Sequence, residues 1–221
     1  MLRALIFDVD GVLVDSMPYH ADAWKTVFDE IGIHITRQDI YEIEGSNHVG
    51  VIQLMFKKVG RTPQPWHFQK LPPKKREVFF RINKVTVFDD IGRCLNLLKK
   101  RYRLAVVSGA DRAIVHSIIY RFFPGVFDAV VSGEDVREGK PSPEPYLKAV
   151  EMLNVQKDEC IVFENAPMGI ESAKRAGLYC IAIPTYLPPD TLINADMVLK
   201  NHSEFSRYLL KLASGQHAKM V

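Results

Sequence analysis

The chain has 221 residues, a formal net charge of +3 and 47% hydrophobic residues, an ordinary composition in a chain longer than the commonest single domain. The charge is too small to indicate nucleic-acid binding. No apolar run approaches the ~18 residues that cross a membrane, so we expect a cytoplasmic protein. We also expect a monomer. The three cysteines lack C-x-x-C spacing and predict neither a disulfide framework nor a zinc site.

The first predicted element is a buried strand from Ala4 to Phe7, which Asp8 closes. Asp10 and Gly11 follow, so two carboxylates and a glycine that tolerates positive φ stand at the carboxyl end of this strand. In open α/β sheets, ligands bind at that edge. An ordinary Asx-turn at Asp10 is the alternative interpretation.

The carboxylate pair suits transfer of a phosphoryl group. One carboxylate would attack phosphorus while the other exchanges protons with the leaving group and then with water. Two carboxylates and a phosphate approach one another only if a hard cation screens their charges, and Mg²⁺ is the usual one. The sequence therefore predicts a magnesium site beside this strand.

The next part of the chain is predicted to be helical. Three stretches show the apolar spacing of amphipathic helices: residues 18–31, 49–59 and 74–83. A proline-broken connector at 61–66 separates the last two. Because 15–87 contains no convincing buried strand, we expect it to be a helical insertion into a core formed by 1–14 and 88–221.

Strands and helices are predicted to alternate in the rest of the chain. The predicted strands are 103–108, 128–132, 160–163, 179–183 and 197–199, and the predicted helices are 91–101, 111–122, 143–153 and 167–176. Strict alternation produces right-handed βαβ units and a parallel, doubly wound sheet. The last residues, 214–221, are expected to be frayed.

Polar side chains also follow later predicted strands. Ser108 and Gly109 stand at a strand-to-helix turn of the kind that binds phosphate, although Ser108 would equally suit a helix cap. Lys140 lies in a loop held by prolines, as an ordinary surface lysine also could. Glu164 and Asn165 offer oxygen ligands for a hard cation, or a turn before a helix. Together with Asp8 and Asp10, these residues supply the hydroxyl, the lysine and the cation ligands that phosphoryl transfer by an acid pair requires.

Four stretches carry these groups: FDVDGVLVDS (7–16), VVSG (106–109), GKPSPEPY (139–146) and FENAPMGIESAKRAG (163–177). In order and spacing they resemble the haloacid dehalogenase superfamily of phosphohydrolases, specifically its β-phosphoglucomutase-like and phosphoglycolate-phosphatase-like branch. The resemblance covers essentially the whole chain. It implies a Rossmann-like α/β core, with the helical insertion in the position of the family's cap.

The resemblance also implies roles for individual residues. Asp8 would be the nucleophile and Asp10 the general acid and base. Ser108 would bind the transferring phosphate, and Lys140 would steady both Asp8 and that phosphate. Closure of the cap would expel bulk water and complete the site.

The resemblance implies a Mg²⁺ site formed by Asp8, the backbone carbonyl of Asp10, and the pair Glu164 and Asn165. The family often has an aspartate where this chain has Asn165, which removes one negative charge beside the metal. An amide oxygen still coordinates Mg²⁺. We therefore predict weaker metal affinity with retained activity.

The insertion contains most of the predicted substrate-binding residues. The candidates are Gly109, His20, Trp24, Gly45, Asn47 and His48. His20 and Trp24 match positions that face the active site in the mutases, although either could simply pack within the cap.

The mutases flank the glycine of the 44–48 loop with basic residues that grip a second phosphate, and this chain has Glu44 and His48 instead. That loss favours a hydrolase, unless Lys57, Lys58 or Arg61 takes over.

The sequence therefore predicts a Mg²⁺-dependent phosphatase for a small phosphorylated metabolite, such as a sugar phosphate or phosphoglycolate. A sugar phosphomutase is the nearest alternative. Asp10 and the pair Glu164 and Asn165 disfavour haloacid dehalogenation, because that reaction needs neither an acid for a leaving alkoxide nor a metal. A non-catalytic binding module would tolerate Asp8→Asn without loss of function.

Overall fold

The computed structural model describes residues 1–216, so the fraying predicted for 217–221 lies outside the described residues. The strands are β1 (Ala4–Phe7), β2 (Val14–Asp15), β3 (Thr86–Val87), β4 (Arg103–Val107), β5 (Ala129–Val131), β6 (Cys160–Glu164), β7 (Tyr179–Ala182) and β8 (Met197–Val198). The helices are α1 (Met17–Asp29), α2 (Arg37–Tyr41), α3 (His48–Lys58), α4 (Pro65–Ile82), α5 (Ile91–Leu98), α6 (Arg112–Phe122), α7 (Glu144–Leu153), α8 (Pro167–Arg175) and α9 (His202–Ala213).

Six strands form a parallel sheet in the order β5-β4-β1-β6-β7-β8. The first strand lies at its centre, where Phe7 pairs with Val106 on one side and Phe163 on the other. The carboxyl ends of β1, β4 and β6 therefore meet at one edge, and this alignment brings the predicted motifs together.

Both faces of the sheet are covered. Leu5 and Phe7 pack into one apolar cluster with helices α5 and α9, whereas Ala4 and Ile6 pack into a second cluster with α7 and α8. Alternate residues of a strand point to opposite faces, so a continuous apolar run such as β1 is buried on both. The predicted doubly wound α/β fold is confirmed.

Helices α1 to α4 lie between β2 and β3, which pair antiparallel through Val14 with Val87 and Asp15 with Thr86. This short ladder brings the two ends of the helical segment together. The assignment of 15–87 as a cap domain, with 1–14 and 88–221 as the core, stays a prediction.

The predicted start of the helix at residue 74 is wrong, because α4 begins at Pro65 and continues through Pro72 and Pro73. Proline lacks the N–H that a helix interior uses, so the sequence favoured a later start. Leu71, Pro72 and Val78 are buried, and α4 packs against α1. Packing of α4 against α1 therefore outweighs the preference of Pro72 and Pro73 against a helix interior. Helices α2 and α9 were not predicted.

Within residues 1–216, no helix is both long enough and apolar enough to span a bilayer.

His202, at the start of α9, joins this helix to the loop after β1. Thr185 Oγ1 donates its single proton to the Gly11 carbonyl at 2.7 Å, so His202 Nε2, 3.0 Å from Oγ1, is the donor of the second contact. Nδ1 is buried and has no hydrogen-bond partner in the part of the chain that the structure describes. Burial accordingly lowers the pKa of His202 to about 4, against the opposing effects of Gly11 and Asp15.

A His202→Gln variant should lose less stability in acid than the wild type. The unfolded histidine takes up a proton below pH 6.5, but the folded one does so only near pH 4. Stability from the neutral ring is therefore complete above pH 6.5 and declines as the pH falls to about 4. We expect the wild type to lose about 1–2 kcal/mol more than the variant across this window, a value reduced for partial exposure. Urea unfolding of both proteins from pH 8 to pH 4 measures the difference. An equal change in the free energy of unfolding with pH for wild type and variant would contradict the prediction. His116→Gln, at an exposed position, is the control.

Candidate active site

The two predicted carboxylates, Asp8 and Asp10, are buried in the loop that leaves β1. Gly11 follows with φ of +82°, and a Cβ atom there would lie 2.1 Å from Asn165 Nδ2. A side chain at this position would therefore be both strained and overlapping. The glycine allows the loop after β1 to pack directly on the loop after β6.

Lys140 bridges two carboxylates. Its Nζ lies 2.5 Å from Asp8 Oδ1 and 2.5 Å from Glu164 Oε1, and its side chain is 1% exposed. Burial alone would lower the pKa of Lys140, but the charges of Asp8 and Glu164 outweigh it and raise that pKa. Burial also raises the pKa of Asp8, although Lys140 opposes the change. The interpretation of Lys140 as a surface lysine is wrong, because the loop carries the ammonium group into the site.

The remaining contacts of Glu164 hold the turn after β6. Its Oε1 accepts a hydrogen bond from the Tyr146 hydroxyl at 2.7 Å, and its Oε2 accepts the backbone N–H groups of Asn165 and Ala166. Both oxygens are thus engaged by the protein, and a direct metal-binding role for Glu164 stays a prediction.

Asp10 is surrounded by donors. Ser16 Oγ donates to Oδ1 at 2.5 Å and Ser108 Oγ donates to Oδ2 at 2.8 Å. His20 Nε2 lies 3.0 Å from Oδ1, although its N–H direction departs from that of a good hydrogen bond. Burial would raise the pKa of Asp10, but the nearby His20, Ser16 and Ser108 together lower it. The carboxylate form of Asp10 is therefore favoured; phosphate binding by Ser108 stays a prediction.

His20 connects Asp10 to a buried lysine that sequence reasoning missed. Lys75 Nζ donates to His20 Nδ1 at 2.7 Å and lies 5.8 Å from the centre of the Trp24 ring. Burial lowers the pKa of Lys75 to about 8, and burial and the Lys75 charge lower that of His20. A signal existed, because Lys75 occupies the apolar stripe of α4 between Leu71 and Val78.

The 44–48 loop of the helical segment packs on the strand ends. A Cβ atom on Gly109 would lie 2.2 Å from the Gly45 carbonyl oxygen, so the two backbones are in direct contact. Asn47 caps α3 by accepting a hydrogen bond from Gly50 N at 3.0 Å. His48 lines the cleft between the helical segment and the strand ends. The structure thus brings these predicted substrate-binding residues to the carboxyl edge of the sheet, while their roles stay predictions.

The cleft between the helical segment and the strand ends has an empty volume of about 610 Å³, with open solvent included. The ionisable residues on its walls are Asp8, Asp10, His20, Glu44, His48, Lys75 and Asp111. Trp24, Met17 and Ile40 are among its apolar neighbours. An apolar wall with a few ionisable groups suits a small organic ligand.

Oxygen atoms near the acid pair fit a hard cation. Asp8 Oδ2 and Asn165 Oδ1 are buried and have no hydrogen-bond partner within residues 1–216. Buried acceptors normally have partners, and carboxylate and amide oxygens are ligands that Mg²⁺ accepts. Among those same residues, no group of three or more His, Cys, Asp or Glu side chains is arranged to hold a metal. A site here would therefore depend on the Asn165 amide and on backbone oxygen.

The chain is similar to known proteins of one family. A profile of the haloacid dehalogenase-like hydrolase family matches residues 5–183. The β-phosphoglucomutase of Bacillus subtilis is 29% identical over 217 residues, which cover 95% of this chain and 94% of that protein. A phosphorylated carbohydrates phosphatase of Thermotoga maritima is 30% identical over 180 residues, which cover 80% of this chain and 82% of that protein.

The fold is similar to that of a solved β-phosphoglucomutase from Clostridium difficile. The TM-score is 0.82 at 21% identity, with 97% of this chain and 98% of that chain covered.

Proposed function

The chain belongs to the haloacid dehalogenase-like hydrolase family, as its motifs predict, and we propose that it is a Mg²⁺-dependent phosphatase. Its substrate would be a small phosphorylated metabolite of the sugar phosphate or phosphoglycolate type. The observation that carries this proposal is the pair Asp8 and Asp10 at the end of one strand, with Lys140 bound to Asp8 Oδ1. The 29% and 30% identities to a phosphomutase and a carbohydrate phosphatase support sugar-phosphate chemistry.

The reaction would proceed in two steps. In the first, a carboxylate oxygen of Asp8 attacks phosphorus, the bond from phosphorus to the ester oxygen breaks, and Asp10 gives the leaving oxygen a proton that it takes up when the substrate binds. In the second, Asp10 as carboxylate takes a proton from water while the water oxygen attacks phosphorus and the bond from phosphorus to the Asp8 oxygen breaks, which releases phosphate and restores the Asp8 carboxylate. The contacts that lower the pKa of Asp10 favour the carboxylate form that this second step needs.

Lys140 and the loops after β1 and β4 would stabilise the charge that develops on phosphorus. Lys140 already contacts Asp8 Oδ1, so a phosphoryl group on that oxygen would lie beside the ammonium. Ser108 and the backbone around Gly109 would contribute hydrogen-bond donors. Asp8, Asn165 and the Asp10 carbonyl would hold Mg²⁺, which when bound screens the negative charges of acid pair and phosphate.

Residues 15–87 would act as a cap over this site. The backbone of Gly45 lies against that of Gly109, and we propose that this contact forms when the cap closes. Exclusion of water would then strengthen each electrostatic contact inside.

The charge of the cleft favours a hydrolase over a mutase. Its ionisable lining contains four carboxylates and one lysine, Lys75, which is already bonded to His20. A mutase must keep a second phosphate bound while the intermediate turns over, and among the residues that line the cleft no lysine or arginine is free to hold it. Lys58 pairs with Asp39, and Lys57 and Arg61 do not border the cleft, so they do not replace the missing clamp.

A panel of phosphorylated metabolites tests this function. Purified protein would be incubated with sugar phosphates and phosphoglycolate, with Mg²⁺ or with EDTA, and with or without a sugar bisphosphate. We expect phosphate release that EDTA stops and added Mg²⁺ restores. Interconversion of sugar-phosphate isomers without net release, dependent on the bisphosphate, would instead identify a mutase.

A further inference from the structure

Glu44 provides a buried carboxylate that the mechanism above does not use. It lies in the 44–48 loop, is 5% exposed, and accepts a hydrogen bond at Oε1 from Asn165 Nδ2 at 2.9 Å. The two residues are 121 positions apart and belong to different segments of the chain. A carboxylate from the helical segment therefore reaches the amide that follows β6.

Three buried oxygens in this region have no hydrogen-bond partner among the residues that the structure describes: Asp8 Oδ2, Glu44 Oε2 and Asn165 Oδ1. Asp8 and Glu44 border the same cleft, and Glu44 is bonded to Asn165. Burying an acceptor without a donor is costly, and more so when it is charged. Carboxylate and amide oxygens without a donor are the ligands that a hard cation accepts.

The charges lead to the same conclusion. The Lys140 ammonium partly offsets the negative charges of Asp8 and Glu164. Within residues 1–216 it makes no hydrogen bond to Glu44. Asn165 is neutral, so it supplies an oxygen but no charge. Glu44 supplies the negative charge that an aspartate at position 165 would have provided.

We propose that Glu44 is a ligand of the divalent cation and completes, with Asp8 and Asn165, a set of oxygens drawn from both segments. This inference rests on the metal dependence in the proposed function. Because Glu44 comes from the helical segment and the other two from the core, the bound cation would tie the segments together. Cation binding would then favour the closed arrangement of the 44–48 loop.

Cation binding by Glu44→Gln tests the inference without any assay of activity. Titration calorimetry with Mg²⁺, and Mn²⁺ binding followed by electron paramagnetic resonance, would be measured for the wild type, Glu44→Gln and Glu42→Gln. We expect Glu44→Gln to weaken binding at least about 10- to 100-fold, the loss that removing a group that only orients a metal ligand already causes elsewhere. Exposed Glu42, two residues away, should be neutral when changed to glutamine.

Two further measurements separate a lost ligand from a damaged loop. Without cation, Glu44→Gln should unfold at a temperature no lower than the wild type, because a glutamine oxygen can still accept from Asn165. Adding Asn165→Asp to Glu44→Gln should restore cation affinity, since the missing charge returns at the neighbouring position.

The outcomes are distinguishable. Wild-type affinity in Glu44→Gln, or no recovery on adding Asn165→Asp, would overturn the role of Glu44 and leave the proposed phosphatase intact. Failure of the wild type to bind either cation would instead remove the metal dependence of the proposed function, and this inference with it.

Discussion

An Asp8→Asn variant is expected to release phosphate at least about 10⁴-fold more slowly than the wild type, a loss typical of removing a catalytic nucleophile. The amide cannot attack phosphorus, so the aspartyl-phosphate cannot form. The fold should persist, because asparagine has the same shape and its oxygen can still accept the hydrogen bond from Lys140. Steady-state phosphate release with the best substrate of the panel measures the effect, and circular dichroism checks the fold.

Trapping the intermediate makes the same test specific. Acid quenching of wild-type protein during turnover of a ³²P-labelled substrate should leave label on the chain, removable by hydroxylamine, and Asp8→Asn should show none. Asp190→Asn makes the same chemical change at an exposed position and should behave as wild type. Substantial release by Asp8→Asn would mean that water attacks the substrate directly.

The sheet was predictable because its central strands are continuous apolar runs that end in polar residues. Ala4 to Phe7 and Cys160 to Phe163 could be assigned in this way, and the structure places them side by side. Parallel strands share one carboxyl edge, so the residues after them had to converge. The convergence of Asp8 with Glu164 followed from that rule rather than from any local signal. Lys140 lies further along the loop after β5, where the rule also allowed a surface position.

The contacts between the helical segment and the core could not be predicted. The bond from Asn165 to Glu44 joins the core to the helical segment across 121 positions, with no sheet register to relate the two residues. Within the helical segment, the bond from Lys75 to His20 joins α4 to α1 across 55 positions. The sequence showed Glu44 only as a residue that stands where the mutases have a basic one. Its burial against Asn165 is a tertiary contact that spacing and composition could not reveal.

Lys140→Met is expected to lower the free energy of unfolding by about 3–5 kcal/mol at pH 8 and to abolish phosphate release. The change leaves the charges of Asp8 and Glu164 buried without the ammonium that lies 2.5 Å from each. Globular proteins are stable by only about 5–15 kcal/mol, so the loss would be a large fraction of the total. Urea unfolding at pH 8 and pH 5 measures it.

The pH dependence identifies the cause. An unpaired buried carboxylate has a pKa above its unfolded value, so its cost is largest at high pH and shrinks as protonation removes the charge. The deficit of Lys140→Met should therefore be smaller at pH 5 than at pH 8, and adding Glu164→Gln should recover part of it. Lys174→Met breaks a partly exposed pair with Asp196 and should cost at most about 1 kcal/mol at either pH. If Lys140→Met matched Lys174→Met, the buried carboxylates would have to be uncharged in the folded protein, and Lys140 could not be the cation that holds Asp8 ready for attack.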